Sequence, residues 1–312
     1  MRTILITGGT GLVGKEIVKH LLAKNYRIII LTRDPAVRTE NDGIEYAFWD
    51  PAKEIIDAEA VKKADAIIHL AGAGVMDKKW TDAYKKEIIE SRTKSSELLI
   101  DTLRKNIHHV KVWVSASAIG WYGPDMIPGY AFTEEDKADP TFLGEVCRLW
   151  EESSKPAESL GIRVCRLRIG IVLAGKGGAY PQLRAPLKFG IASILGNGNQ
   201  VVSWIQIDDL CRAFIFALEN ASMKGSYNAV APDPVTNKML TLVIAKKVKG
   251  KFFLPLHVPA LILKLMLGSR SIEILKSTRV SARKIITQGF TFLYPGINTA
   301  IDAVENITDP TV

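Results

Sequence analysis

Cysteine is scarce in this chain of 312 residues, which has three, and none of them stands in a Cys-x-x-Cys pair. An odd, scattered set predicts neither a disulfide framework nor a zinc site. It is typical of a reducing compartment, so we expect a cytoplasmic protein. The five histidines show no spacing typical of metal ligands. We therefore predict no metal centre.

Long hydrophobic runs are also missing. The longest nearly apolar run, residues 254–268, is interrupted by His257, Pro259 and Lys264, whereas a membrane-spanning helix needs about 20 apolar residues. The glycines near the N-terminus begin before any stretch long enough for a signal peptide. We predict no transmembrane segment. A helix at Pro259–Leu267 is expected in the core of a lobe or at a contact between copies, in preference to a membrane surface.

Positive charge exceeds negative charge, with 41 Lys and Arg against 33 Asp and Glu, which gives a formal net charge of +8. Along the N-terminal helices the lysines alternate with acidic residues and indicate solvated faces. The segment 270–284 is less balanced, but aromatic residues do not interleave with it as single-strand binders require. This excludes nucleic acid as the expected partner and favours a small-molecule substrate, with an anionic one as an option. A homo-oligomer stays open.

Short β-branched runs alternate with amphipathic helical stretches through the first two-thirds of the chain. The predicted strands are Thr3–Thr7, Arg27–Leu31, Ala66–Leu70, Val110–Ser115 and Arg163–Ile171. Strands separated by helices at this spacing predict right-handed βαβ units. We therefore predict an α/β protein: a Rossmann-type doubly wound parallel sheet in a nucleotide-binding domain, residues 1–231, and a smaller C-terminal lobe, residues 232–312, that completes a substrate cleft.

A glycine-rich loop follows the first predicted strand directly and precedes a helix. Gly8, Gly11 and Gly14 have the roles of a tight turn, a close backbone approach to a pyrophosphate, and close packing of helix on strand. The free N–H groups of the helix N-terminus would bind the diphosphate. The predicted cofactor-binding residues here are Thr7, Gly8, Thr10, Gly11, Leu12, Val13 and Gly14.

The end of the second strand indicates which nucleotide is preferred. An NAD site has Asp or Glu there to accept from the ribose 2′-OH, whereas this chain has Arg33, which suits the 2′-phosphate of NADP. Arg38 could assist from the next loop, and Asp50 could meet the adenine. Asp34 lies one residue beyond the usual acidic position and keeps NAD open as the alternative. We predict NADP(H) as the cofactor.

These residues resemble the extended, epimerase-like branch of the short-chain dehydrogenase/reductase superfamily. More closely, the chain resembles the NAD-dependent epimerase/dehydratase family oxidoreductases that carry an additional C-terminal domain of unassigned function. The marks of the resemblance are Thr7–Gly14, Thr32-Arg33, Trp49-Asp50-Pro51, His69–Ala73, Ser91-Arg92, Ser115–Gly123, Trp150-Glu151, Gly177–Ala179, Ser203–Asp209, Asn228, Ala231-Pro232, Ser277–Val280 and Gly289–Phe292.

The resemblance implies roles for matched positions. Leu70, Ala71 and Gly72 would line the ribose and nicotinamide side of the cleft. Ser117 matches the serine that hydrogen-bonds a substrate carbonyl or hydroxyl. Ser115, in the same Ser/Ala run, is predicted to contact the cofactor, because such sheets bind ligands at the carboxyl ends of their strands.

The sequence departs from the superfamily where a Tyr-x-x-x-Lys pair is expected. In the two feasible registers the pair becomes Phe142 and Val146, or Leu143 and Cys147, and the helix position elsewhere held by asparagine is Ser91. Three explanations of this departure are open. In the first, the proton that the tyrosine would transfer comes from Tyr122, Glu145, Cys147 or a residue of the C-terminal lobe. In a second the chain is a catalytically silent nucleotide-binding regulator or sensor, and in a third the reaction needs no strong acid.

The function expected from the sequence is that of an NADP(H)-binding oxidoreductase or epimerase-like enzyme whose substrate is unidentified. Ser117 and Tyr122 are the predicted catalytic residues. The alternative is the silent regulator or sensor.

Overall fold

The computed structural model describes residues 2–35 and 43–308. Arg38, which we predicted to assist at the cofactor phosphate, lies outside the described residues. The strands are β1 (Thr3–Thr7), β2 (Arg27–Thr32), β3 (Ile44–Asp50), β4 (Ile55–Ile56), β5 (Ala66–His69), β6 (Val112–Ala118), β7 (Arg163–Ile169), β8 (Ile171–Ala174), β9 (Gly177–Gly178), β10 (Ile191–Leu195), β11 (Val201–Val202), β12 (Trp204–Gln206), β13 (Gly225–Ala229), β14 (Val235–Thr236) and β15 (Leu254–Val258).

Helices connect most of these strands, as the sequence periodicity predicts. The α-helices are α1 (Leu12–Ala23), α2 (Ala58–Lys62), α3 (Asp82–Lys105), α4 (Phe142–Ser154), α5 (Tyr180–Arg184), α6 (Ile207–Glu219), α7 (Asn237–Lys249), α8 (Ala260–Leu267), α9 (Ser271–Leu275), α10 (Arg283–Thr287) and α11 (Ile297–Thr308). Within the described ranges, every helix is too short or too polar to cross a bilayer.

Among the described residues, eight strands form the main sheet in the order β13-β7-β6-β5-β1-β2-β3-β4. The central pairs β1·β2, β1·β5, β5·β6 and β2·β3 are parallel, and the edge strand β4 is antiparallel to β3. The order runs outward in both directions from β1, which is the reversal of a doubly wound sheet. The predicted Rossmann-type α/β fold is confirmed.

The chain divides into two compact units, each assembled from separate segments. Unit 1 comprises the described residues of Met1–Trp121, Pro140–Arg168 and Cys211–Tyr227. Its core is formed by the inner faces of the sheet strands with α2 and α3, where Leu5, Trp113 and Leu99 are fully buried. The buried β-branched and leucine runs of β1, β2 and β5 are what makes them central strands.

Unit 2 comprises the described residues of Tyr122–Asp139, Ile169–Leu210 and Asn228–Val312. It has a core of its own, in which Trp204, Tyr180 and Ile301 are fully buried. The predicted division of the chain into a nucleotide-binding domain, residues 1–231, and a smaller C-terminal domain, residues 232–312, stays a prediction.

Helix α8 departs from the sequence expectation. We expected this apolar segment in the core of a lobe or at a contact between copies, but Leu263 is its only buried residue. Leu261, Leu265 and Met266 are exposed. The expectation of a lobe core was therefore wrong, since a single residue of the helix is buried, whereas the contact between copies stays a prediction.

Candidate functional site

Three strands of the main sheet, β1, β2 and β5, end at or within one residue of the same row, and this row crosses β6 at Ser115, three residues before that strand ends. Thr7 of β1 is in register with Leu31 of β2 on one side and with His69 of β5 on the other, and His69 is in register with Ser115 of β6. The predicted cofactor residues Thr7 and Ser115 thus lie in one row of unit 1, Thr7 at the carboxyl edge of β1 and Ser115 inside β6. Ligands of doubly wound sheets bind at this edge, next to the strand where the order reverses.

The glycine loop that follows β1 fits a dinucleotide cradle. Gly8 has a φ of +68°, and a Cβ there would lie 3.0 Å from the Leu70 carbonyl carbon. A Cβ on Gly14 would overlap the Gly8 carbonyl oxygen and the Gly9 backbone. A side chain at either position would therefore push the loop away from the strand or the helix.

The N-terminus of α1 is left open toward the loop. Its N-cap is Gly11, which supplies no side-chain capping bond, and its first turn contains no acidic residue. The Gly11 N–H donates to the Gly8 carbonyl oxygen at 3.0 Å, which closes the turn. Thr10, Leu12 and Val13 are half-buried around it. Amides that no protein group caps favour an anion such as a diphosphate.

Thr7 and His69 tie this loop to helix α3. The Thr7 hydroxyl oxygen accepts from the Leu70 and Ala71 N–H groups at 3.1 and 3.2 Å, so its own proton donates to His69 Nδ1 at 2.8 Å. His69 Nε2 must then carry the proton, and it lies 3.2 Å from both the Ser95 and Ser96 hydroxyls. Burial lowers the pKa of His69 to about 3, so the ring is neutral.

Arg33 is exposed one residue beyond β2, at the same edge as the glycine loop. Arg33 thus follows the strand at whose end a dinucleotide site distinguishes the ribose substituent, and its contact with a 2′-phosphate stays a prediction. Asp50, the predicted adenine contact at the end of β3, accepts from the Ala52 N–H at 3.1 Å and lies 3.6 Å from Lys53 Nζ. Through these contacts Asp50 stabilises the turn that follows β3. Its contact with adenine stays a prediction.

Ser117 lies in a polar cluster of unit 1 in which Ser117, Glu151 and Arg168 are buried. Its hydroxyl donates to Glu151 Oε1 at 2.8 Å, and Arg168 Nε donates to the same oxygen at 2.7 Å. Ser226 donates to Glu151 Oε2 at 2.8 Å, and the Arg168 guanidinium lies 3.7 Å from the centre of the Trp121 ring. The hydrogen bond from Ser117 to Glu151 was not predicted from the sequence. Its only signal was the Trp150-Glu151 mark of the resemblance.

Tyr122, the other predicted catalytic residue, belongs to unit 2. Its ring is buried and stacks on Phe132 at 5.1 Å, and its hydroxyl donates to Asn228 Oδ1 at 2.6 Å. Asn228 is held in turn by Ser281, whose carbonyl oxygen accepts from Nδ2, and by Glu134, which accepts from the Asn228 N–H. Tyr122 is therefore rigidly oriented, while its catalytic role stays a prediction.

The residues that the resemblance places at the superfamily's tyrosine and lysine positions are packing residues of α4. Val146 and Phe142 pack in a cluster with Tyr84 and Ile88, and Phe142 meets Trp80 edge-on. Leu143 is buried too. The side chains at these positions thus serve the contact between α3 and α4.

Glu145 and Cys147, two further candidate proton donors, are also on α4. Burial raises the pKa of the Cys147 thiol to about 12, so it keeps its proton at neutral pH. Hydrogen bonds from Arg148 lower the pKa of Glu145, so this carboxylate is ionised and has no proton to give. Neither group is suited to donate a proton near pH 7.

The chain is similar to known proteins over nearly its whole length. A model of the NAD-dependent epimerase/dehydratase family matches residues 4–146, and a model of a domain of unknown function (DUF1731) matches residues 258–304. The epimerase family protein SAR0825 of Staphylococcus aureus is 35% identical over 303 residues, which cover 97% of this chain and 98% of that protein.

Two solved structures are similar over nearly the whole chain. The human epimerase family protein SDR39U1 (isoform 2), crystallised with NADPH, is 26% identical with a TM-score of 0.84, and the match covers 97% of this chain and 99% of that one. The nucleoside-diphosphate sugar epimerase of Corynebacterium glutamicum is 32% identical with a TM-score of 0.75, over 96% of this chain and 57% of that one.

Proposed function

The chain belongs to the NAD-dependent epimerase/dehydratase family, and from that premise we propose that it binds NADP(H) and acts as an oxidoreductase or epimerase-like enzyme on a small-molecule substrate. The family resemblance inferred from the sequence is thereby confirmed. The observation that carries the proposal is the cradle formed by Gly8 and Gly14 beneath the open N-terminus of α1. NADPH in the crystal of the similar human protein supports the same cofactor.

Each part of the cofactor has residues suited to it. The amides at the start of α1 bind the diphosphate, and Gly8 and Gly14 keep the backbone close enough for this. Arg33 at the end of β2 binds the 2′-phosphate with paired N–H groups, which Asp or Glu could not do. The backbone of Leu70–Gly72, fixed by Thr7, flanks the nicotinamide side. When bound, the cofactor supplies or accepts a hydride.

Ser117 and Tyr122 are the residues we assign to the substrate. The Ser117 proton is committed to Glu151, but the hydroxyl oxygen retains a lone pair that can accept from a substrate hydroxyl. Tyr122 donates its hydroxyl hydrogen to Asn228 Oδ1 and would have to turn it away from that bond to give the proton directly to substrate. The side chains at the usual Tyr and Lys positions do neither, which is why the assignment rests on this pair.

The cofactor is tested by fluorescence titration with NADPH and NADH. We expect NADPH to bind more tightly, and Arg33→Ala to weaken NADPH about 10- to 100-fold, the effect of a lost charged hydrogen bond, while leaving NADH nearly unchanged. Arg27→Ala is the matched control, since Arg27 is an equally exposed arginine at the opposite end of β2. Equal affinities for the two nucleotides in the wild-type protein would refute the role of Arg33.

One observation favours a second function. The side chains assigned to the usual Tyr and Lys positions, either Phe142 and Val146 or Leu143 and Cys147, are not suited to acid–base chemistry at neutral pH. In that case the chain is a nucleotide-binding regulator or sensor without turnover. A screen of carbonyl and nucleotide-sugar substrates with NADPH separates the two, repeated on Ser117→Ala and Tyr122→Phe. Turnover that both substitutions leave unchanged would contradict the site; NADPH binding with no turnover of any compound would favour the regulator.

A further inference from the structure

Arg92 on helix α3 is a buried cation with few partners. Its relative exposure is 7%, and its guanidinium makes a single hydrogen bond, from Nη1 to the Ile88 carbonyl oxygen at 2.8 Å, within its own helix. Its Nε is buried without a hydrogen-bond partner. A buried polar group in this condition calls for an explanation, because a buried donor left without an acceptor destabilises the protein.

The other buried arginines of unit 1 differ in this respect. Arg168 pairs with Glu151 at 2.7 Å, and Arg166 pairs with Glu158 at 3.0 Å. No carboxylate of the described residues lies within ion-pair distance of Arg92, which instead stacks on the Trp150 ring with its Cζ 4.7 Å from the ring centre. An aromatic face compensates a cation only in part. The protein thus maintains one buried guanidinium whose remaining N–H groups have no acceptor in the described chain.

Arg92 lies next to the backbone that follows β5, and this position indicates which group could accept its hydrogen bonds. A Cβ built on Gly72 would lie 2.9 Å from Arg92 Cζ and 3.2 Å from its Nε, so the glycine allows the guanidinium to lie against the backbone that follows β5. That backbone is joined to the glycine loop through Leu70 and Thr7. A dinucleotide spans the strand where the sheet order reverses. With Arg33 beyond β2 facing the adenosine half, the β5 side, where Arg92 lies, belongs to the nicotinamide half.

We propose that Arg92 is a cofactor-binding residue that donates hydrogen bonds to the hydroxyls of the nicotinamide-side ribose of NADP(H). The inference rests on the proposed function, because it requires that the chain bind this nucleotide. A neutral hydroxyl suits the site, since the phosphates are already served by the N-terminus of α1 and by Arg33. The guanidinium is oriented by the Trp150 ring and by the Ile88 carbonyl oxygen.

The test compares two nucleotides that differ in the half that Arg92 would contact. NADPH contains the nicotinamide ribose, whereas 2′,5′-ADP has the adenosine half alone. Affinities are measured by isothermal titration calorimetry for the wild-type protein, Arg92→Met, Arg92→Lys and the control Arg104→Met, an exposed arginine on the same helix. Circular dichroism and thermal unfolding report whether each variant is folded.

We expect Arg92→Met to weaken NADPH about 10- to 100-fold and 2′,5′-ADP by less than about twofold, with Arg92→Lys intermediate for NADPH because it keeps the charge but fewer donors. Arg104→Met should change neither affinity. Should Arg92→Met fail to fold, the Arg92→Lys values decide by the same comparison. Equal losses for both nucleotides, or an unchanged NADPH affinity, would overturn the proposal. A wild-type protein that binds neither nucleotide would instead refute the proposed function.

Discussion

His69 is a buried histidine whose partners determine one tautomer. Thr7 donates to Nδ1, and the Ser95 and Ser96 hydroxyls, which both donate to the Arg92 carbonyl oxygen, are left to accept from Nε2. All members of this chain of hydrogen bonds are satisfied only while the ring is neutral. The histidine therefore fixes Thr7, and through it the backbone at Leu70, in a way that depends on pH.

We predict that His69 makes the protein sensitive to acid. Burial, together with the positive charge of Arg92, lowers the pKa of His69 from 6.5 to about 3. Between these values the unfolded chain binds a proton that the native ring does not, so stability falls as the pH falls below 6.5. From pH 6.5 to pH 4 this amounts to roughly 3 kcal/mol at 1.36 kcal/mol per pKa unit.

The measurement is the free energy of unfolding in urea at several pH values. His69→Gln has no ring to protonate, so its stability should fall less steeply between pH 6.5 and pH 4 than that of the wild-type protein. His109→Gln, at an exposed position, should retain the wild-type slope. Parallel slopes for His69→Gln and the wild-type protein would show that His69 is not the group responsible.

Residues of this kind mark the limit of prediction from sequence. Thr7 was expected at the cofactor because it ends the first strand, yet its bond to His69 joins residues 62 positions apart. Glu151 and Arg92 look like ordinary charged positions on amphipathic helices, which are mostly exposed. That both are buried follows from the packing of α3 and α4 on the sheet, and no local pattern indicates it.

At the scale of elements, the strand, glycine loop and helix at the N-terminus form one unit, β1 to α1. Local sequence was sufficient to predict it, since the strand Thr3–Thr7 has the same bounds in the structure and a helix follows the glycine loop directly. Helix α8 shows the opposite case. Its apolar composition predicted burial, but whether an apolar helix is covered depends on elements distant in sequence, and in unit 2 only Leu263 is covered.

We predict that Gly14→Ala disrupts the β1–α1 unit. The added Cβ would overlap the Gly8 carbonyl oxygen and the Gly9 backbone. These are main-chain atoms, which cannot move out of the way by a change of rotamer. The loop or the helix must shift, so we expect a loss of stability of about 1 to 3 kcal/mol, typical of overpacking, and NADPH affinity lowered at least about 10-fold through the displaced amides.

Gly296→Ala is the matched control, because its Cβ would meet nothing within 4 Å and its backbone is not in the left-handed region. It should leave NADPH affinity within error of the wild-type value, measured by calorimetry. Urea unfolding should show a loss of stability below about 1 kcal/mol, since Gly296 directly precedes α11 and alanine is a poorer N-cap than glycine. A Gly14→Ala protein as stable and as tightly bound to NADPH as the control would contradict the close packing of α1 on the loop.

For the whole molecule, the net charge of +8 affects how fast an anionic ligand approaches, whereas a single arginine acts on the ligand once it is in contact. Several surface lysines are paired with carboxylates, for example Lys63 with Glu45 at 2.7 Å and Lys247 with Asp302 at 2.6 Å. Such exposed pairs contribute little to stability. The excess that they leave acts at long range, and a positive protein attracts an anion before contact, most strongly at low ionic strength.

We therefore predict that NADPH association is faster at low salt. Stopped-flow quenching should show the association rate constant falling several-fold between about 20 and 200 mM salt, with a shallower fall for NADH, which lacks the charge of the 2′-phosphate, about −1.5 to −2 at neutral pH. Arg33→Ala should keep most of this salt dependence, because it removes one charge from an excess of +8, and should act mainly on the dissociation rate. If the salt dependence disappeared with Arg33 alone, the attraction would be local to the 2′-phosphate contact and the net charge would have no part in it.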